Sequence, residues 1–166
     1  MHGGIDHRFS VLFVCLGNIC RSPMAEGAFR AVAQERGLAC LVDSAGTASY
    51  HVGQQPDPRA IGVASRQGID IATQAARQVE RDDFYRFSHI IAMDRANLEA
   101  LRGKAPRDGT ARLAMLLDAV EGRRGEPVAD PYYGDLAAFE TAWSIINLGA
   151  NAWVDKLLRE GTRQTV

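Results

Sequence analysis

The sequence predicts an α/β fold, a single domain built on a parallel sheet with helices on both faces. Three observations predict it. Short apolar runs rich in β-formers alternate with longer helix-favouring segments. The strand candidates are continuously apolar, the pattern of strands buried on both faces. A length of 166 residues allows one domain and leaves little room for a second. A chain of that size buries enough surface to fold without a disulfide or structural metal.

Residues 1–8 carry two glycines and no periodicity and read as a flexible N-terminal tail, leaving 9–166 as the domain. Phe9–Val14 is a short run of β-formers ended by Gly17 and Asn18, a buried strand. Ser22-Pro23 then offers an N-cap and a first-turn proline, Met24–Arg36 favours helix, and Gly37 stands where a C′ glycine belongs. No capping box completes this start, because Ala25 occupies the position of its Glu. Ala39–Asp43 reads as the second strand, with Cys40 in the core. Asp57-Pro58 opens a helix that stops near Gly68, and Ser88–Met93 is a third strand followed by a helix from Asp94. Ala111–Leu117 is a fourth strand or a helix, since its Ala, Met and Leu content suits both. Phe139, Trp143, Ile146, Ala150, Trp153 and Leu157 step by three and four, giving one apolar helix face and placing both tryptophans in the core.

Composition excludes whole classes of function. With 46% hydrophobic and 23% charged residues the chain is neither disordered nor fibrous. Nineteen Lys and Arg balance twenty Asp and Glu without a basic run, so there is no footprint for nucleic acid or an anionic membrane. No stretch approaches the roughly 18 apolar residues of a span. The run Phe9–Leu16 passes straight into Asn18, Cys20 and Arg21 without a small-residue cleavage pattern, so a cytoplasmic protein is expected. Cys15, Cys20 and Cys40 cannot all pair and read as reduced thiols. His2, His7, His51 and His89 are scattered, the Cys15/Cys20 spacing fits no zinc pattern, and no metal or cofactor is expected.

In sheets of this kind ligands bind beyond the carboxyl ends of the strands, which directs attention to the first βα loop. The backbone N–H groups of Leu16, Gly17, Asn18, Ile19, Cys20, Arg21 and Ser22 suit a cradle for one tetrahedral anion, with Gly17 and Asn18 supplying conformations that bulky residues resist. The helix start adds positive charge on the same side. Neither the Walker pattern nor the dinucleotide fingerprint occurs. Instead Cys15 opens the loop and Arg21 follows six residues later, so the helix terminus and a guanidinium favour the thiolate, which is the nucleophile. Arg21 grips phosphoryl oxygens with a planar fork that lysine lacks, and Ser22 has a hydroxyl to offer the thiolate. Protonating the departing oxygen needs an acid. Asp130 is the candidate, its backbone restricted by Pro131, with Tyr132 and Tyr133 beside it to wall an aromatic substrate. Asp94 reads equally as an N-cap and as a hydrogen-bond partner of the loop. Cys20 is a packing residue or a redox partner, and its place in the same short loop suits a reversible Cys15–Cys20 disulfide.

The segments VLFVCLGNICRSPMAE, VDSAGTASYHVGQQPDPRA, MDRANL and DPYYGD, in this order, resemble the low-molecular-weight protein tyrosine phosphatases over nearly the whole chain from Val11. The resemblance implies a four-stranded parallel sheet and hydrolysis of phosphotyrosine in proteins through a phosphocysteine. It implies Cys15 as nucleophile, Arg21 as phosphate binder, and Asp130 as general acid and then base. Asn18 and Ser22 would hold the loop and the thiolate, and Tyr50, Tyr132 and Tyr133 would flank the substrate ring. The stretch Thr73–Arg77 lacks a histidine that some members carry, which removes the basis for a loop-bracing role there. Three other readings fit less well. A thiol-linked arsenate reductase needs further cysteines, and residues 78–100 contain none. The protein-arginine phosphatase branch carries threonine where this chain has Ile19, whose apolar side chain suits a flat aromatic leaving group. A silent phosphopeptide-binding module is expected to lack Cys15 or Asp130, and both are present.

Overall fold

The computed structural model describes residues 9–164, so the expected tail at 1–8 lies outside the described residues. Strand β1, Phe9–Cys15, is buried along its whole length. Its alternate side chains Phe9, Val11, Phe13 and Cys15 enter one core layer while Leu12 and Val14 enter the other, as the two-residue period of a central strand requires. Helix α1, Arg21–Arg36, begins one residue before Ser22, so that serine is not the N-cap. Its hydroxyl is engaged with Cys15 and Asn18 instead of the helix backbone. Gly37 ends the helix at φ 74°, as expected.

Strand β2, Cys40–Gly46, pairs in parallel with β1 from Phe9↔Cys40 to Cys15↔Gly46. It is an edge strand, so Cys40 is only half-buried rather than core. Helix α2, Pro58–Arg66, is capped by Asp57, whose carboxylate accepts from Arg59 N at 2.8 Å. A single helical turn, α3 at Asp83–Arg86, was not expected. Strand β3, His89–Ala92, leads through the N-cap Asp94 into α4, Arg95–Lys104. The ambiguous segment divides: Arg112–Met115 is strand β4, and Leu116–Ala119 is a 3₁₀ turn. Helix α5, Leu136–Gln164, buries the predicted apolar row, and Trp153 Nε1 donates to Leu116 O at 2.8 Å.

The four strands are parallel in the order β2-β1-β3-β4. Helices α1, α2 and α5 cover one face, and α3 and α4 cover the other. Strand order reverses between β1 and β3, and the crevice beyond their carboxyl ends is where such a sheet receives its ligand. The β1–α1 loop and the β3–α4 junction meet there, with Arg21 bonded to Asp94 at 2.7 Å. No helix of the described residues is long and apolar enough to cross a membrane.

Candidate active site

The loop after β1 turns its carbonyls outward. Cys15 O, Leu16 O and Ile19 O accept from Thr47, Ala48 and Asp57 N–H groups at 2.8–3.0 Å, and Cys20 O accepts from Met24 at 3.2 Å. Among the described residues, the N–H groups of Leu16, Gly17, Asn18, Ile19 and Cys20 donate to no protein acceptor, which is the arrangement of an anion cradle. Asn18 supplies the left-handed residue of the turn at φ 57°. Gly17 does not: its need is space, because a Cβ there would stand 2.9 Å from the His51 ring.

The cradle opens into a cavity of about 140 Å³. Cys15, Leu16, Gly17, Ile19, Cys20 and Arg21 line it from the loop, and Tyr50, His51, Asp130, Tyr132 and Tyr133 line it from the other segments. Asn18 and Ser22 lie outside that lining, buried behind the loop. Tyr133 is 93% exposed at the rim and meets Tyr132 edge-on at 4.9 Å between ring centres. His51 stands between Tyr50 and Tyr132, 6.5 and 6.4 Å from them, and sequence reasoning passed over it as one of four scattered histidines.

Behind the thiol runs a directed chain of hydrogen bonds. Arg77 N–H donates to Asn18 Oδ1 at 3.0 Å, which turns the Asn18 amide so that Nδ2 donates to Ser22 Oγ at 2.8 Å and Ser44 Oγ at 3.0 Å. Ser44 Oγ in turn donates to Glu26 Oε1 at 2.7 Å. Ser22, having accepted from Asn18, has its proton for Cys15 Sγ at 3.0 Å, a much shorter contact than the 3.5 Å to Ala45 O. The Thr73–Arg77 stretch therefore does brace the loop, through a main-chain N–H rather than a histidine. Burial pushes the Glu26 carboxyl above the usual carboxylate range, against the Ser44 hydroxyl and Arg30, whose Nη1 reaches Oε2 at 2.8 Å.

Arg21 is buried and held by Nη1, which donates to Asp94 Oδ2 at 2.7 Å and Val128 O at 2.8 Å. Asp94 thus serves as both N-cap and loop partner, since its Oδ1 accepts from Asn97 N. Arg21 Nη2 lies 3.7 Å from Asp130 Oδ2. Asp130 Oδ1 accepts from Tyr132 N at 3.1 Å. Cys20 is buried beside Cys15; burial first, then the electrostatics of Asp57, Cys15 and Asp130, push its thiol far up, against the pull of Arg59. The Cys20 thiol is therefore kept neutral. All three cysteines are free.

Residues 10–163 match the family model of low molecular weight phosphotyrosine protein phosphatases. The low molecular weight protein-tyrosine-phosphatase YfkJ of Bacillus subtilis is 41% identical over 91% of this chain and 97% of its own. Its crystal structure superposes with a TM-score of 0.86 over 95% and 99% of the two chains. The human low molecular weight phosphotyrosine protein phosphatase is 38% identical over 89% of this chain and 94% of its own. The structure of an arginine phosphatase from Drosophila also superposes, with a TM-score of 0.83 and 31% identity over 89% and 96%.

Proposed function

The chain belongs to the low molecular weight phosphotyrosine protein phosphatase family, and on that premise we propose that it hydrolyses phosphotyrosine in proteins with Cys15 as nucleophile, Arg21 as phosphate clamp and Asp130 as acid and base. The observation that carries this reading is the meeting of Cys15, Arg21 and Asp130 on one cavity. The phosphoryl group sits in the cradle of N–H groups, and Cys15 Sγ attacks phosphorus opposite the tyrosyl oxygen. Arg21, anchored through Nη1, offers its remaining N–H groups to the equatorial oxygens as charge spreads over them. Asp130 protonates the leaving phenolate, then takes a proton from the water that cleaves the phosphocysteine. Tyr50, Tyr132 and Tyr133 flank the substrate ring, which their rim position supports.

Ile19 lines the same cavity and favours a flat aromatic leaving group over a guanidinium. Cys20 is the resolving thiol after oxidation: a Cys15 sulfenic acid and the Cys20 thiol condense to a disulfide and water. The test is turnover of phosphotyrosine, phosphoserine and phosphoarginine peptides by the wild type and by Cys15→Ser. The expected result is a rate on phosphotyrosine at least about a hundredfold above the others, lost in the serine variant with the fold kept. Comparable turnover of phosphoarginine overturns the substrate assignment, and activity in Cys15→Ser within tenfold of wild type overturns the nucleophile.

A further inference from the structure

Arg59 does not line the cavity, yet its guanidinium joins the two loops that form it. Nε and Nη2 donate to the two carboxylate oxygens of Asp57 at 3.0 and 2.9 Å. Nη2 also donates to Tyr132 O and Nη1 to Gly134 O, each at 3.0 Å. The group lies over the buried Phe139 ring at 4.3 Å. On the other side, Asp57 N–H donates to Ile19 O of the phosphate loop at 2.8 Å. A continuous path of bonds therefore leads from Ile19 through Asp57 and Arg59 to the segment that carries Asp130.

Before Asp130 that segment is tied at Val128, whose N–H donates to Met93 O and whose O accepts from Arg21 Nη1, each at 2.8 Å; after Asp130 the tie is Arg59, through Tyr132 O and Gly134 O. Asp130 and Tyr132 to Asp135 are exposed; Asp130 accepts from Tyr132 N, and its Oδ2 lies 3.7 Å from Nη2 of Arg21 in the phosphate loop. An acid acts only from the right distance, and a misplacement near 1 Å costs about a hundredfold in rate. We propose that Arg59 is a positioning residue for the reaction: it latches the Asp130 segment to the phosphate loop and so sets the distance from the acid to the leaving oxygen. The planar fork suits this task because it meets one carboxylate and two carbonyls while keeping a face for Phe139; an ammonium on a flexible stem does not meet all four. The inference rests on the assignment of Asp130 as the acid.

The experiment measures kcat/KM over aryl phosphates of graded leaving-group pKa for wild type, Arg59→Met, Arg59→Lys and Asp130→Asn, with vanadate inhibition constants and melting temperatures alongside. A displaced acid harms the poorest leaving groups most. For Arg59→Met, phenyl phosphate falls about tenfold and nitrophenyl phosphate about twofold, so the dependence on leaving-group pKa steepens toward that of Asp130→Asn, while vanadate binds within about twofold of wild type because the cradle is intact. Arg59→Lys lies between, and carries the comparison if the methionine variant does not fold. Asp130→Asn steepened with both Arg59 variants unchanged or uniformly slowed refutes the latch alone. A uniform loss in Asp130→Asn refutes the acid assignment and the latch with it. Weakened vanadate binding in both Arg59 variants shows Arg59 to be a support of the cradle instead, and overturns the proposal.

Discussion

Ser22 Oγ and Cys15 Sγ are each donor and acceptor, so the 3.0 Å between them does not by itself say which holds the proton; their neighbours decide. Arg77 N–H fixes the Asn18 amide from one end, and the Glu26 carboxylate draws the Ser44 proton at the other. In Glu26→Gln, Arg30 Nη1 attracts the amide oxygen, which leaves the amide NH₂ facing Ser44 Oγ beside the Nδ2 of Asn18. Ser44 then receives two donors and its own proton has no acceptor. One such lost bond is worth about 1 kcal/mol, or about fivefold, so kcat/KM near neutrality falls about fivefold. An unchanged kcat/KM would show that the Arg77 N–H alone orients the chain. Cys15, Arg21 and Ser22 were legible in the sequence because one loop holds them all. Glu26, Ser44, Arg77 and Arg59 were not, because their roles depend on partners brought together by folding, 18 positions apart for Glu26 and Ser44 and 59 for Asn18 and Arg77.

Among the elements, those with long periodic patterns were legible and those settled by tertiary contact were not. The row from Phe139 to Leu157 covers several turns and fixes α5, whereas a single turn such as Asp83–Arg86 is too short to show a period. Ala111–Leu117 was ambiguous because it is two things, a short strand paired with β3 and a turn packed under α5. The α5 contact is close: a Cβ added at Gly149 would stand 2.6 Å from Leu116 Cγ, a branch point rather than a flexible tip. Gly→Ala inside a helix ordinarily stabilises by up to about 1 kcal/mol. Here overpacking of about 1–3 kcal/mol opposes and exceeds it. Gly149→Ala is therefore expected to lower the melting temperature by about 3–6 °C for a domain of this size, with kcat within about twofold of wild type. A melting temperature equal to wild type or higher would show that Leu116 yields without strain.

Across the whole molecule, the order β2-β1-β3-β4 places the chemistry at the carboxyl ends of the strands and leaves a different titrating group at the opposite end. The parallel α/β class was legible because β1 is apolar at nearly every position; the order was not, since it depends on which edge each crossover takes. His89 begins β3 with 5% exposure, its ring 6.0 Å from Phe9 and 5.9 Å from Trp153, and its Nδ1 2.9 Å from Ser88 Oγ. Burial holds its pKa below the ordinary 6.5; Glu160 on α5 draws it up, while Arg112 on β4 and Lys156 on α5 push it down. Above pH 6.5 the ring is neutral in both states and its full contribution to stability is present. As pH falls from there toward the depressed folded value, the unfolded chain takes up a proton that the native state refuses, and that contribution is lost. Glu26, raised by burial, works in the other direction, because the native state binds its proton first and gains stability as pH falls. Comparison with a variant separates the two: between pH 7.5 and 5.5, His89→Gln should lose less melting temperature than wild type, since only the wild type carries the histidine difference. Because His89 lies at the far end of the strands from Cys15, the variant's kcat/KM pH profile should overlay that of wild type. Equal losses of melting temperature in both proteins would mean that His89 takes up its proton as readily folded as unfolded.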